Sequence, residues 1–242
     1  MSIELIKLLL TQYIAYLLCN FIVIPSHYIH EKKGVFKKHS FWPPIKAILF
    51  FIISYGLTIN KHFLINSVII SIIIGLLAFL DNYKKTNTLI YLFNQIAQII
   101  IIFIIVHFHK NWITSYNIIT LVNNYNIQLK YLWLLIAFLL CLGPANVLIK
   151  LLLNIYKIIP EKNESLLNAG RFIGNIERII TFILVLNGQY EAIGLLIAAK
   201  SLLRLKDGEL KMSEYILIGT MLSFGIAIII GITINNFILN PK

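Results

Sequence analysis

NAGRFIGNIERIITFILVLNGQYEAIGLLIAAKSLLRLKDGELKMSEYILIGTMLSF, residues 168–224, reads as three apolar helical segments joined by short polar turns, with charges set inside them. All three arginines of the chain, Arg171, Arg178 and Arg204, fall in this stretch, together with Lys200 and the acids Glu177, Glu191 and Glu214. A charged side chain at the centre of a bilayer costs at least about 2.5–3.5 kcal/mol, so such groups either pair to bind helices together or serve a function. The stretch therefore sets both the fold class and the place to look for activity.

The rest of the chain explains why hydrocarbon is the expected surrounding. Of 242 residues 59% are hydrophobic and 13% charged, and the mean hydropathy is +0.83. A soluble domain has about a quarter of its residues charged. Apolar runs of about 20 residues recur along the whole length, which predicts an all-α, polytopic transmembrane helix bundle rather than a barrel of alternating strands. No stretch is left over for a soluble domain. The net charge of +11 resides mostly in connections between runs, where Lys and Arg mark the cytoplasmic side. The expected partner is thus the lipid bilayer and not nucleic acid, which would need an exposed basic face with interleaved aromatics. Cys19 and Cys141 sit inside apolar runs as packing residues. The first run carries Gln12 and Asn20 and no small-residue cleavage site follows it, so a retained helix is expected.

Spans are predicted near 3–24, 42–59, 63–80, 89–107, 131–153, 166–186, 191–203 and 214–234. The seventh is short for a core of about 30 Å and is read as short or re-entrant. Lys32, Lys33, Lys37 and Lys38, then Lys84 and Lys85, Lys157 and Lys162, and finally Arg204, Lys206 and Lys211 occupy alternate connections. The positive-inside rule assigns those connections to the cytoplasm. The expected domains are an N-terminal membrane half, 1–109, an external linker, 110–129, and a C-terminal half with charged helices, 130–242.

Within the charged stretch, Gly170 and Gly174 form a GxxxG whose face continues through Glu177, Arg178 and Thr181, predicting a close helix contact and a charge pair together. Glu177 and Arg178 are adjacent and do not face each other, so their partners are expected on other helices, with Glu191 and Glu214 as candidates for the arginines. Lys200 lies further into its apolar run than Arg204, one turn away, and two cations there suit an anionic headgroup. The candidate binding residues are Arg171, Glu177, Arg178, Glu191, Lys200 and Arg204. No catalytic residue, metal ligand or cofactor is predicted. Phosphate-loop, HExxH, CxxC and GxSxG patterns are absent, and the six histidines lie near span ends as interfacial residues.

Residues 169–224 resemble the C-terminal signature of a bacterial inner-membrane family catalogued as domain of unknown function 3307. That family's N-terminal part carries His and Asp in the pattern HxxxDFxxQ, then a further His and Asp, then DQ followed by His. The corresponding stretches here are YLLCNFIVI, LAFLDNYK and FNQIAQ. Tyr16, Leu77 and Gln98 stand where His is expected, Asn20 and Asn94 for Asp and Ile24 for Gln, while Asp81 and Gln95 remain. The resemblance implies a multi-pass protein of the bacterial cytoplasmic membrane with no established activity, and the substitutions weigh against a metal enzyme. The favoured reading is a non-enzymatic protein that binds a small ion, an anionic lipid headgroup or a membrane-protein partner, such as a second copy, through its C-terminal charges, in a transport-like role or otherwise. The alternatives are a membrane-embedded hydrolase and a structural subunit of a membrane complex.

Overall fold

The computed structural model of the chain describes residues 3–23, 42–58, 63–83, 88–109, 125–155, 164–204 and 210–239. Its elements are α1 (Ile3–Leu17), α2 (Trp42–Thr58), α3 (Leu64–Tyr83), α4 (Thr88–Phe108), α5 (Tyr125–Ile155), α6 (Glu164–Leu186), α7 (Tyr190–Arg204) and α8 (Leu210–Ile234). Two of them, α1 and α8, continue into π-helical stretches, Leu18–Val23 and Asn235–Leu239. No strand occurs among the described residues. Helix α5 begins at Tyr125, inside the linker expected over 110–129, and runs 31 residues through an internal Pro144. The remainder of that linker and the lysine-bearing connections between helices lie outside the described residues, apart from Lys211, which falls in α8.

Among the described residues, three helical stretches are long and apolar enough to cross a membrane: Ile3–Ile22, Leu129–Leu153 and Leu217–Leu239. Pro43–Thr58, Leu64–Phe79 and Leu92–Phe108 are apolar but shorter. The 15 residues of α7 extend about 22 Å at 1.5 Å per residue, less than a hydrocarbon core of about 30 Å.

The chain divides into two compact units, Met1–Leu132 and Trp133–Lys242. In the N-terminal unit α1 packs on α2 and α4, α2 on α3, and α3 on α4, so four helices close a ring. The tightest approach in it is at Gly75 of α3, where an added Cβ would lie 2.8 Å from the Ala47 Cβ of α2. Burial here departs from that of a water-soluble bundle, since polar side chains share the interior with Leu, Ile and Phe while apolar ones also cover the outside. Along α3, Ile65, Ile69, Ile72, Leu76 and Phe79 form an exposed stripe, whereas Ser67 and Ser71 are buried. Gln12, Asn20, Ser54, Gln95 and Gln98 are likewise buried. Soluble monomers rarely expose apolar stripes of this extent, and a polar interior under an apolar surface suits hydrocarbon surroundings.

In the C-terminal unit α6 packs on α8 and on α7. Ala137 and Cys141 of α5, Phe182 of α6 and Ile234 of α8 form the apolar core, flanked by Trp133, Leu186 and Ile230. Helix α6 ends in a Schellman turn: the Gln189 N–H donates to the Leu184 carbonyl at 2.9 Å and the Gly188 N–H to Val185 at 3.0 Å. Gly188 takes the left-handed φ of +70° that this turn requires.

Candidate functional site

Arg178 is the largest fully buried side chain described, 1% exposed. Its Nε donates to the Cys141 carbonyl at 2.6 Å, its Nη1 to Ser223 Oγ at 2.8 Å, and its Nη2 to Asn146 Oδ1 at 2.5 Å and Asn175 Oδ1 at 2.6 Å. Asn146 Nδ2 also donates to Asn175 Oδ1 at 2.8 Å. Four of the five N–H groups of the guanidinium are thereby spent on neutral oxygens from α5, α6 and α8. Arg178 thus takes no carboxylate among the described residues, in contrast to the expected pairing with Glu191; the other candidate, Glu214, has its side chain outside the described set. Oriented amide and hydroxyl dipoles solvate its charge instead, and they join three helices at one point.

The local sequence shows why this works. Pro144 has no N–H and removes a helical hydrogen bond within α5, one turn from the Cys141 carbonyl and two residues before Asn146. Helical side chains lean toward the N-terminus, so Arg178 lies over the turn of Gly174. A Cβ at Gly174 would stand 3.6 Å from Arg178 Nη1 and 3.9 Å from Ser223 Oγ. The GxxxG reading is corrected accordingly: Gly174 faces the guanidinium, and Gly170 is exposed with nothing within 4 Å of an added Cβ. Close helix approach in this unit occurs instead at Gly231 of α8, where a Cβ would lie 2.7 Å from the Val185 side chain of α6.

Glu177 is one residue from Arg178 and therefore about 100° around the helix. It faces α7 and forms an ion pair with Lys200 through Oε1, both side chains being mostly buried. Glu177 Oε2 is buried without a hydrogen-bond partner among the described residues. Lys200 Nζ also lies 5.9 Å from the ring centre of Phe224. With Phe224, Ile197, Ser201, Leu217, Thr220 and Met221, Lys200 lines a surface cleft between α7 and α8 that is too shallow to enclose a water molecule. Ser201 and Thr220 direct their hydroxyl protons to Ile197 and Leu217 of their own helices.

The structure thus separates the six expected binding residues. Arg178 belongs to a closed network and Glu177 with Lys200 to a second group. Arg171 is half-buried and joins neither, while Glu191 is exposed in the first turn of α7. The side chains of Arg204 and Glu214 lie outside those described. Sequence reasoning missed Asn146, Asn175 and Ser223. The available signal was the run Leu142–Gly143–Pro144–Ala145–Asn146, a break and an amide inside an otherwise apolar helix.

The N-terminal unit holds a second polar group. The Tyr16 hydroxyl hydrogen-bonds Gln95 Oε1, Asn20 Nδ2 donates to Gln98 Oε1 at 3.2 Å, and Ser54 Oγ donates to Gln12 Oε1 at 2.6 Å. Four positions named in the family resemblance, Tyr16, Asn20, Gln95 and Gln98, therefore meet between α1 and α4. Ile24 and the side chain of Asp81 lie outside the described set, and Leu77 is half-buried. No group of three His, Cys, Asp or Glu able to hold a metal occurs among the described residues. His109, at the end of α4, is buried within the unit, with Nδ1 2.7 Å from Asn66 Nδ2 and its ring edge-on to Phe63.

Compared with family models, curated proteins and solved structures, the chain matches none of them.

Proposed function

We propose that the chain is a non-enzymatic, multi-pass protein of the bacterial cytoplasmic membrane, whose C-terminal unit holds an anionic lipid headgroup at Lys200. The exposed apolar stripes, the three membrane-length helices and the excess of lysine in alternate connections support the membrane part of this reading. The resemblance of residues 169–224 to a bacterial inner-membrane family supports the choice of membrane.

The observation that carries the ligand part is the place of Lys200 in the cleft between α7 and α8. Its walls are mostly apolar, and Lys200 is four residues from the end of α7, one turn or about 6 Å. That depth lets a lysine stem lie along an acyl chain while the ammonium meets a headgroup at the interface. Arg178 is unsuited to the task, because four of its five N–H groups are already committed within the bundle. Glu177 competes with any incoming anion for Lys200, so its removal and the removal of Lys200 act in opposite directions.

The test compares the purified protein in nanodiscs of phosphatidylcholine with and without phosphatidylglycerol, reading bound anionic lipid by native mass spectrometry. Lys200→Met reduces the preference for phosphatidylglycerol severalfold, and Glu177→Gln increases it. An unchanged preference in Lys200→Met would sink the assignment.

A structural-subunit reading is favoured by one observation on α7. Gly194 and Ala198, one turn apart, are exposed together with Glu191, and nothing lies within 4 Å of a Cβ at Gly194. Cross-linking at Gly194→Cys in membranes distinguishes it, since lipid contact alone yields no defined cross-linked species.

A further inference from the structure

The amides between α1 and α4 are incompletely used. Asn20 is 2% exposed and Gln98 0%, and one hydrogen bond joins them. Yet Asn20 Oδ1 and Gln98 Nε2 are buried with no partner among the described residues. Gln12 Nε2, on the same buried side of α1, is in the same condition. A buried polar atom left unpaired carries its whole desolvation penalty, and hydrocarbon outside the bundle offers no water to relieve it.

Reassigning the amides does not remove the imbalance. Rotating both by 180° restores one bond with the roles exchanged and again leaves one N–H and one carbonyl oxygen. Rotating one alone sets donor against donor or acceptor against acceptor. Whichever way the groups lie, the pair presents one unused donor and one unused acceptor, each at the far end of an amide already engaged in their mutual bond. Tyr16, Gln95 and Ser54, the hydrogen-bonding groups beside them, are uncharged, and the buried cation nearby, Lys46 of α2 beside Cys19, is itself engaged, so the pattern of donor and acceptor rather than a counter-charge selects the ligand.

We infer that Asn20 and Gln98 form a binding site for a small neutral molecule bearing an adjacent hydrogen-bond donor and acceptor, of the carboxamide or urea class. Such a group accepts from Gln98 Nε2 and donates to Asn20 Oδ1, which closes a ring of hydrogen bonds that the two side chains leave open. A carboxylate could accept from Gln98 but would set its oxygen against Asn20 Oδ1, and an ammonium would set its protons against Gln98 Nε2. The site lies in the N-terminal unit and is independent of the lipid reading at Lys200.

The test follows the side-chain amide 15N–1H resonances of Asn20 and Gln98 in the full chain in phosphatidylcholine nanodiscs, with acetamide as probe and acetate and ammonium as charged comparators. Acetamide is expected to displace both resonances saturably, with no such response to the ions. In Asn20→Leu the Gln98 resonance loses its response. Equal responses to acetate or ammonium would overturn the inference. So would cross-relaxation to water without any saturable response to acetamide, which would reduce the pair to a hydrated packing defect. The wild-type titration decides the matter even where the leucine variant fails to fold.

Discussion

Arg178 shows how a helix bundle can hold a cation on neutral oxygens. Its bonds reach Cys141, Asn146, Asn175 and Ser223, so removing it leaves several buried acceptors unpaired at once. Hydrogen bonds to a charged group are worth about 1.5–3 kcal/mol each and do not add. Arg178→Met is therefore expected to destabilise the protein by roughly 3 kcal/mol or more, read as a lower midpoint of unfolding in detergent followed by helical circular dichroism. Arg178→Lys keeps the charge but not the planar fork, and should recover only a small part of the loss. A lysine variant as stable as the wild type would show that charge, and not the directed bonds, holds the three helices. That Arg178 and Glu177 are important side chains was legible in the sequence, since ionisable groups in apolar runs stand out. Their partners were not legible. Asn146 and Ser223 are neutral residues 32 and 45 positions away, and only the packing of α5 and α8 brings them to Arg178.

At the scale of elements, periodic apolar runs located all eight helices, because length and hydropathy register directly in composition. The GxxxG of α6 misled, since small residues at that spacing allow a close contact without specifying which helix supplies it. The glycine that does permit close approach, Gly231 of α8, belongs to no GxxxG and faces Val185. Gly188 contributes by its backbone conformation. An alanine at φ +70° meets the left-handed penalty of about 1–2 kcal/mol. Gly188→Ala is thus expected to destabilise by about 1 kcal/mol or more and to increase cleavage between α6 and α7 in limited proteolysis. A stabilised Gly188→Ala variant would contradict the Schellman geometry.

For the whole molecule, the exposed stripes on the N-terminal unit and the buried amides beneath them argue for the same surrounding. The protein should resist extraction from membranes by carbonate at high pH and should be released by detergent. Cysteines placed at Lys33 and Lys85 are expected to react with an impermeant maleimide only from the cytoplasmic face. Release by carbonate would remove the basis of the membrane reading, and labelling from the outside would reverse the topology. Two units were legible only as halves separated by a polar connection, because which helices close on one another depends on contacts far apart in sequence.

The ring of α1 to α4 also has a consequence for biogenesis. Tyr16 and Asn20 of α1 find their partners, Gln95 and Gln98, 79 and 78 residues later in the chain. At about 5–20 residues per second, a ribosome takes roughly 4–16 s to deliver α4 after α1 has been made. Over that interval the nascent first helix has buried-type amides and no companions for them. On the membrane reading proposed above, that helix is expected to remain at the insertion channel or to be shielded by another membrane factor until the fourth helix arrives.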